Sequence, residues 1–208
     1  MLEKLINFLV KLFGGDKSST TSAEKPIDTT WITYDQFKAA TGLSNNLAMR
    51  WYQNVMNACL RYDIKSPERI AAFLAQVGHE SGGFVHSREI WGPTAAQKSY
   101  EGRTDLGNLQ PGDGARFRGR GLIQITGRYN YEKVSQWLGL DLVSNPSMLE
   151  QYDLAALSAA AWWYYNGCNE IADSGDFEKL TRRINGGING YQDRLIRWDL
   201  AKKVLGLK

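Results

Sequence analysis

Residues 70–83, IAAFLAQVGHESGG, form an apolar stretch with helical periodicity that ends close to a glutamate. This stretch restricts how the chain can fold, because its apolar face must be buried. A Ser-Pro pair precedes it, which is typical of a helix start because serine caps free N–H groups and proline fits the first turn. Phe73, Val77 and Glu80 share one face at helical spacing, and the apolar residues mark this face as buried. The Gly-Gly pair then predicts that the helix ends just after Glu80.

The position of this carboxyl group affects its tendency to hold a proton. Partial burial and the negative end of the helix dipole both disfavour the charged form of a carboxyl group. We therefore expect Glu80 to stay protonated near neutral pH and to act as a proton donor, which is the task of the general acid in glycoside hydrolysis. Two ordinary alternatives stay open, since periodicity does not show what lies opposite: Glu80 turns toward solvent, or it pairs with an arginine.

Capping signals predict further helices along the chain. The segment Thr33–Gln36 has the form of a capping box, and Ser44 precedes a second apolar stripe. The run LAALSAAAWWYY, which we expect Asp153 to cap, is apolar nearly all round and is typical of a central buried helix. Asp176 starts another helix, and a last one is expected over about 192–205. The domain is therefore predicted to be mainly α.

The chain between residues 92 and 116 is punctuated by Gly and Pro and lacks a sustained period, which is typical of a functional loop. The run FRGRGLIQITG follows it. This run is short and β-like, and its Gly119 and Gly121 permit close approach of the backbone.

Glycoside hydrolysis requires a second carboxylate across the scissile bond. Glu89 is the first candidate, because it comes nine residues after Glu80 and beyond a Gly-Gly break that lets the chain turn back. Glu101 and Asp105 are further candidates. The ordinary alternative for Glu89 is a solvated loop acid.

The amino-terminal part of the chain differs from the rest. Met1–Phe13 predicts a short amphipathic helix that is too short to span a bilayer and lacks the pattern of a secretory signal. It could dock on the domain's own surface, lie in a membrane interface, or pair with another copy. Residues 14–30 are rich in Gly, Ser and Thr and predict a flexible linker. The folded domain is then expected over 31–208.

Charge and cysteine content exclude several classes of function. The net charge of +3 is too small to indicate nucleic-acid binding. Cys59 and Cys168 are too few for a disulfide framework, and we expect two reduced, buried thiols. The chain has His79 and His86 but no cysteine pair at ligand spacing, so we expect neither a metal site nor a cofactor.

An ordered set of motifs resembles glycoside hydrolase family 19, and most closely the branch found in bacteriophage endolysins. The motifs, which span about residues 31–205, are AQVGHESGGF, YEGR, RFRGRGLIQITGRYNY, NPSMLEQYDLAALSAAAWWYYNG and RRINGGINGYQDR. The resemblance implies a mainly α, two-lobed, lysozyme-like domain with a central cleft. The disulfides and the Cys-rich chitin-binding module of plant members are missing, which fits manufacture in a bacterial cytoplasm.

The resemblance also implies roles at matching positions. Glu80 matches the general acid, Glu89 is the choice for the base that activates water, and Glu101 is the second choice. Thr126 matches a Ser or Thr that helps to hold the nucleophilic water. The residues implied to contact sugar or to line the cleft are Gln124, Tyr129, Asn130, Asn185, Arg194 and Arg120. Arg118 and Arg120 are implied to order the acid or contact substrate, and the alternative for both is an ion pair that braces the loop.

The activity that the resemblance implies is inverting hydrolysis of the β-1,4 bond between the amino sugars of peptidoglycan, which causes bacterial lysis. Chitin is the alternative substrate, because it shares the linkage and the N-acetyl group. A membrane-active protein acting through residues 1–13 is the third possibility. The expected partners are peptidoglycan glycan strands and an anionic membrane surface at residues 1–13, without nucleic acid, for a monomer. The expected location is the host bacterial cytoplasm and then, on release, the periplasm and cell wall.

Overall fold

The computed structural model describes residues 32–208. The expected amphipathic helix at 1–13, the linker at 14–30 and Trp31 lie outside the described residues. The described part contains ten α-helices and two 3-10 helices and has no β-strand, so the prediction of a mainly α domain is confirmed. The α-helices are α1 (Tyr34–Thr41), α2 (Asn45–Arg61), α3 (Pro67–Glu80), α4 (Ala95–Lys98), α5 (Asp113–Arg116), α6 (Arg128–Leu138), α7 (Tyr152–Tyr165), α8 (Cys168–Asp173), α9 (Phe177–Asn185) and α10 (Tyr191–Val204). The 3-10 helices are Thr104–Leu106 and Pro146–Glu150.

Most of the predicted helix starts are confirmed. Thr33 forms the complete capping box at α1, and Ser44, Ser66 and Asp176 each accept a backbone N–H bond at the start of α2, α3 and α9. The prediction that Asp153 caps α7 is wrong. The preceding 3-10 helix ends at Glu150, and α7 begins at Tyr152, only two residues later. Asp153 therefore lies in the first turn of α7, where its negative charge interacts favourably with the helix dipole.

The helix α7 lies in the core, as its sequence predicts. Ala155, Ala156, Ala159 and Ala160 are fully buried, and small side chains of this kind let neighbouring helices approach closely. The helix α7 packs against α2, whereas α3 packs against α10. An edge-to-face contact between Phe73 and Trp163, with ring centroids 5.3 Å apart, joins α3 to α7.

The β-like run at residues 117–127 forms a tight turn and not a strand. Arg120 and Ile125 exchange two backbone hydrogen bonds of 3.1 Å and 2.8 Å, which makes an isolated bridge. The backbone between them turns through positive φ angles at Gly121 and Gln124. A Cβ at Gly121 would lie 2.8 Å from the Ser158 hydroxyl on α7, so the turn sits directly on the central helix.

Both cysteines are buried and unpaired, which confirms the prediction of two reduced thiols. Burial raises the pKa of Cys168 to about 12, so that side chain stays protonated. Along residues 32–208, none of the helices has the length and apolarity that crossing a membrane requires.

An ion pair between a buried aspartate and a partly buried arginine joins α5 to α6. The Asp113 side chain is 2% exposed and accepts hydrogen bonds from Arg128 Nη2 at 2.6 Å, Arg128 Nε at 2.9 Å and the Gln110 N–H at 3.0 Å. The bonds from Arg128 hold the pKa of Asp113 below its usual range, although burial acts in the opposite direction.

We expect Asp113→Asn to lower the free energy of unfolding at pH 7 by about 2 kcal/mol, since it removes the charge from the hydrogen bonds that the partly buried Arg128 donates. A depressed folded-state pKa stabilises the fold above the unfolded pKa of about 4, and this contribution disappears as the pH falls through the folded value. The difference between variant and wild type should therefore shrink below about pH 4. Urea unfolding at a series of pH values measures this. Asp105→Asn, at the exposed pair with Arg103, is the control and should unfold like wild type. A difference independent of pH would contradict the assignment.

Candidate active site

A groove of about 520 Å³ opens beside the segment that follows α3. Its walls come from the chain just after the Gly-Gly break, from the glycine-rich turn and from the end of the second 3-10 helix. The lining residues are Val85, His86, Ser87, Arg88, Glu89, Ile90, Trp91, Arg118 and Glu150. The groove therefore contains Glu89, the predicted base.

Glu89 is held on both oxygens by neutral groups. Oε1 accepts hydrogen bonds from Gln97 Nε2 at 2.9 Å and from the Tyr100 hydroxyl at 3.3 Å. Oε2 accepts the Gly119 N–H at 3.1 Å. Burial and the negative charge of Glu89 together raise the pKa of Tyr100, which keeps this hydroxyl a donor. Glu89 is thus a positioned side chain, and the alternative of a freely solvated loop acid does not describe it.

Gly119 brings two of the predicted residues to Glu89. A Cβ on Gly119 would lie 2.7 Å from Gln124 Oε1, 3.3 Å from Thr126 Oγ1 and 3.4 Å from Glu89 Cβ. A side chain at position 119 would therefore fill the space that these three groups surround. Asn130 supports the same turn by donating a 2.8 Å hydrogen bond to the Thr126 carbonyl. The structure thus brings Glu89, Gln124 and Thr126 together.

Glu80 lies in the last turn of α3, where the sequence places it, and its side chain is 18% exposed. Its Oε1 pairs with Nη2 of Arg194 on α10. The sequence left this arginine pairing open as an alternative. Glu80 does not belong to the lining of the groove that holds Glu89.

Arg194 is fully buried and anchors Glu80 to the protein interior. Its Nη1 donates to Gln76, one turn before Glu80 on α3, and its Nε donates to the Asn189 carbonyl at 3.2 Å. Gln76 in turn donates to the Thr181 hydroxyl at 2.9 Å. This chain of buried polar groups fixes one carboxylate oxygen of Glu80 and leaves the rest of the group partly open.

A second contact fixes the start of α10 against the end of α3. The His79 Nδ1 lies 2.7 Å from Asp193 Oδ2, which also accepts a 2.7 Å bond from Arg197. Burial acts to raise the pKa of Asp193, but the hydrogen bonds from Arg197 and His79 outweigh it and hold the pKa below its usual range. A Cβ at Gly190 would overlap the His79 ring, so this approach requires glycine.

Other predicted residues have positions that favour support over direct chemistry. Glu101 accepts the N–H groups of Gly112 and Gly114 at 2.6 Å and 2.8 Å, so it braces the loop. Arg120 is buried and donates to Glu150 at 2.7 Å and to Tyr131 at 2.9 Å, which matches the bracing alternative.

The remaining predicted positions lie on the surface. Tyr129 is half exposed beneath the Lys133 ammonium, which lies 4.2 Å from the ring centroid. Asn185 is exposed at the end of α9, before the Gly-Gly turn that leads to α10. Asp105 pairs with Arg103 on the surface. For Tyr129 and Asn185, a role in sugar contact stays a prediction.

Sequence reasoning missed Gln97, which positions Glu89. Gln97 is buried, accepts the Gly92 and Thr94 N–H groups, and donates to Glu89. A signal was available, because Thr94 and Gln97 have the spacing of a capping box, and the structure forms that box at α4. Tyr100 was also missed, and no local pattern identifies it.

The described residues contain no group of three or more His, Cys, Asp or Glu side chains placed to hold a metal ion. Around Glu89 the site presents carboxylate, hydroxyl, amide and guanidinium groups.

Comparison with known proteins identifies the family. The family model described as "Chitinase class I", of glycoside hydrolase family 19, matches residues 28–176. A Haemophilus influenzae protein containing a glycosyl hydrolase family 19 domain is 40% identical over 152 residues, which cover 60% of this chain and 74% of that protein. An endochitinase of Arabidopsis thaliana is 39% identical over 118 residues, or 57% of this chain. The match spans only 39% of the length of that endochitinase.

Solved structures share the fold. Chitinase C from Streptomyces griseus superposes with a TM-score of 0.67 at 25% identity, covering 88% of this chain and 97% of that one. A class IV chitinase from Zea mays gives a TM-score of 0.65 over 86% of this chain and 94% of that one, and its 23% identity supports the fold alone. The fold is that of the lysozyme-like family 19 chitinases. Because the family model matches well over half of the chain, we conclude that this protein is a chitinase-like enzyme of glycoside hydrolase family 19, with a polysaccharide as its substrate.

Proposed function

We propose that this protein is an endolysin of the bacteriophage type, which hydrolyses the β-1,4 bonds between the amino sugars of peptidoglycan with inversion. Glu80 is the acid and Glu89 is the base in this proposal. The observation that carries it is the setting of Glu89, an acid in an open groove held only by neutral donors and next to Thr126.

Neutral donors are suitable partners for a catalytic base, because they orient the carboxylate and do not neutralise its negative charge. Three hydrogen bonds fix the position of Glu89, and its free lone pairs remain able to accept a proton from water. Thr126 Oγ1 donates to the Gln124 carbonyl at 2.9 Å, so its own lone pairs are free to accept a hydrogen bond from that water. Base and hydroxyl together can orient a water for attack on the anomeric carbon.

Arg194 suits the acid by orienting it. Because Arg194 is itself held by Gln76 and Asn189, the Glu80 carboxyl has a fixed position at the end of α3. Its partly exposed side can donate a proton to the departing glycosidic oxygen. An inverting reaction requires about 6.5–9.5 Å between the two carboxyl groups, with the attacking water between them.

The phage-type motifs support peptidoglycan as the substrate, and they support a path from the host cytoplasm to the cell wall. Chitin is the second candidate, because the named relatives include endochitinases and a chitinase. Digestion of purified sacculi and chitin oligomers side by side, with the new reducing ends identified by mass, decides between them. Cleavage of chitin alone would make the protein a chitinase.

We expect Glu80→Gln and Glu89→Gln each to reduce hydrolysis of sacculi by at least about 100-fold, since each removes a proton-transferring group. The midpoint of thermal unfolding should also fall, because Glu80→Gln leaves the buried Arg194 without its charged partner and Glu89→Gln turns an amide NH2 toward a donor. Hydrolysis is therefore compared at a temperature at which circular dichroism shows both variants to be folded. The release of reducing ends from sacculi measures the effect.

Glu101→Gln separates the two candidate bases, and Glu178→Gln at an exposed helix pair is the matched control. Full activity of Glu89→Gln, with loss in a folded Glu101→Gln variant, would transfer the role of base to Glu101. Wild-type hydrolysis by Glu80→Gln would remove Glu80 from the role of acid.

We expect Gln97→Leu to lower kcat by about 10- to 100-fold with little change in KM, because Glu89 loses the donor that sets its position. Thr94→Ala is the control, since it breaks the capping box but leaves the bond from Gln97 to Glu89. It should cost about 1 kcal/mol of stability and leave kcat nearly unchanged. Soluble glycan fragments are the substrate. Equal losses of kcat in the two variants would show that Gln97 acts only through stability.

A further inference from the structure

The groove that holds Glu89 also contains an arginine with a buried group that lacks a partner. Within residues 32–208, the Arg118 Nε is the one buried side-chain nitrogen or oxygen without a hydrogen-bond partner. A buried donor left in this condition is unfavourable, and such groups are rare in folded proteins. The Arg118 guanidinium lies 5.7 Å from the centre of the Trp91 ring, and both side chains line the groove.

The charges around Arg118 are mainly positive. Arg88 also lines the groove, and Arg120 lies behind it. Burial lowers the pKa of Arg118, and the nearby Arg120 and Arg88 lower it further, while Glu150 opposes them. A guanidinium nevertheless keeps its proton in proteins, so Arg118 carries a positive charge, and no carboxylate among the described residues lies within ion-pair distance of it.

The acids of the groove are already engaged elsewhere. Glu150 accepts from Arg120 Nε at 2.7 Å and from Arg88 Nη1 at 3.3 Å. Glu89 accepts from amide, hydroxyl and backbone donors, as described above. An ion pair that braces the loop was the alternative role for both Arg118 and Arg120. Arg120 forms such a pair with Glu150, whereas no ion pair in the described part of the chain includes Arg118.

We propose that Arg118, with Arg88 beside it, forms a subsite that binds a carboxylate on the peptide stem of the substrate. This inference rests on the proposed function, because peptidoglycan carries such carboxylates and chitin has none. A guanidinium matches the geometry of a carboxylate through two parallel hydrogen bonds. A carboxylate in the groove would give the Arg118 guanidinium the charged partner that the described residues do not supply. Arg118 would then determine substrate preference without taking part in proton transfer.

The test uses the full chain and one preparation of soluble glycan–peptide fragments from sacculi. Half of the material is left native, and half has its carboxyl groups converted to amides with carbodiimide and ammonia. Wild type, Arg118→Gln and Arg118→Lys are compared on both. Arg182→Gln, at an exposed ion pair on α9, is the control for loss of one positive charge.

We expect wild type to have a kcat/KM about 10-fold or more higher on the native fragments than on the amidated ones, since bonds between charged groups are the strong ones. Arg118→Gln should lose about that factor on native fragments, mainly through KM, and stay within about twofold of wild type on amidated fragments. Arg118→Lys should recover part of the loss, and Arg182→Gln should behave like wild type. Unchanged activity on amidated fragments also shows that Arg118→Gln is folded.

Other outcomes overturn the inference in distinguishable ways. If wild type cuts native and amidated fragments equally well, or if Arg118→Gln loses the same factor on both, the carboxylate subsite is wrong while peptidoglycan hydrolysis stands. The wild-type comparison decides this even if the variant fails to fold. If wild type cuts chitin oligomers but neither fragment, the proposed substrate is wrong and the subsite is wrong with it.

Discussion

The packing of α3 against α10 and the position of Glu80 both depend on one set of buried hydrogen bonds, those donated by Arg194. Arg194, fully enclosed on α10, contacts Gln76 and Glu80 on successive turns of α3. A buried guanidinium is tolerated only when its donors are satisfied, so these contacts fix how the two helices pack. The same contacts fix the end of α3, where Glu80, the proposed acid, lies. One interaction thus serves both the packing of the helices and the orientation of Glu80.

The two carboxylates are placed by different means. Glu80 lies on a long helix and is held by a cation, whereas Glu89 lies on a loop and is held by neutral donors. An ion pair and a set of neutral hydrogen bonds create different electrostatic environments for the same chemical group.

The loops around the groove contain several ion pairs. Asp113 and Arg128 pair behind the loop after α4, and Glu150 pairs with Arg120 behind the groove. These pairs support the backbone that presents Glu89 and Thr126. Arg118 differs, since it lines the groove and belongs to no ion pair within residues 32–208. The loops therefore hold both the supporting ion pairs and a cation available to substrate.

The long helices follow from the sequence alone, because caps, glycine stops and apolar periodicity act within a few residues of one another. The sequence also determined that Glu80 ends α3 and that the motif set resembles family 19. The partners of the two carboxylates, in contrast, are visible only in the tertiary structure. Arg194 reaches Glu80 from 114 positions along the chain, and Gly119 reaches Glu89 from 30, so no local pattern could reveal either contact. Whether a segment forms a helix depends on residues near it in sequence. Which partners a buried charged side chain finds depends on residues near it in space.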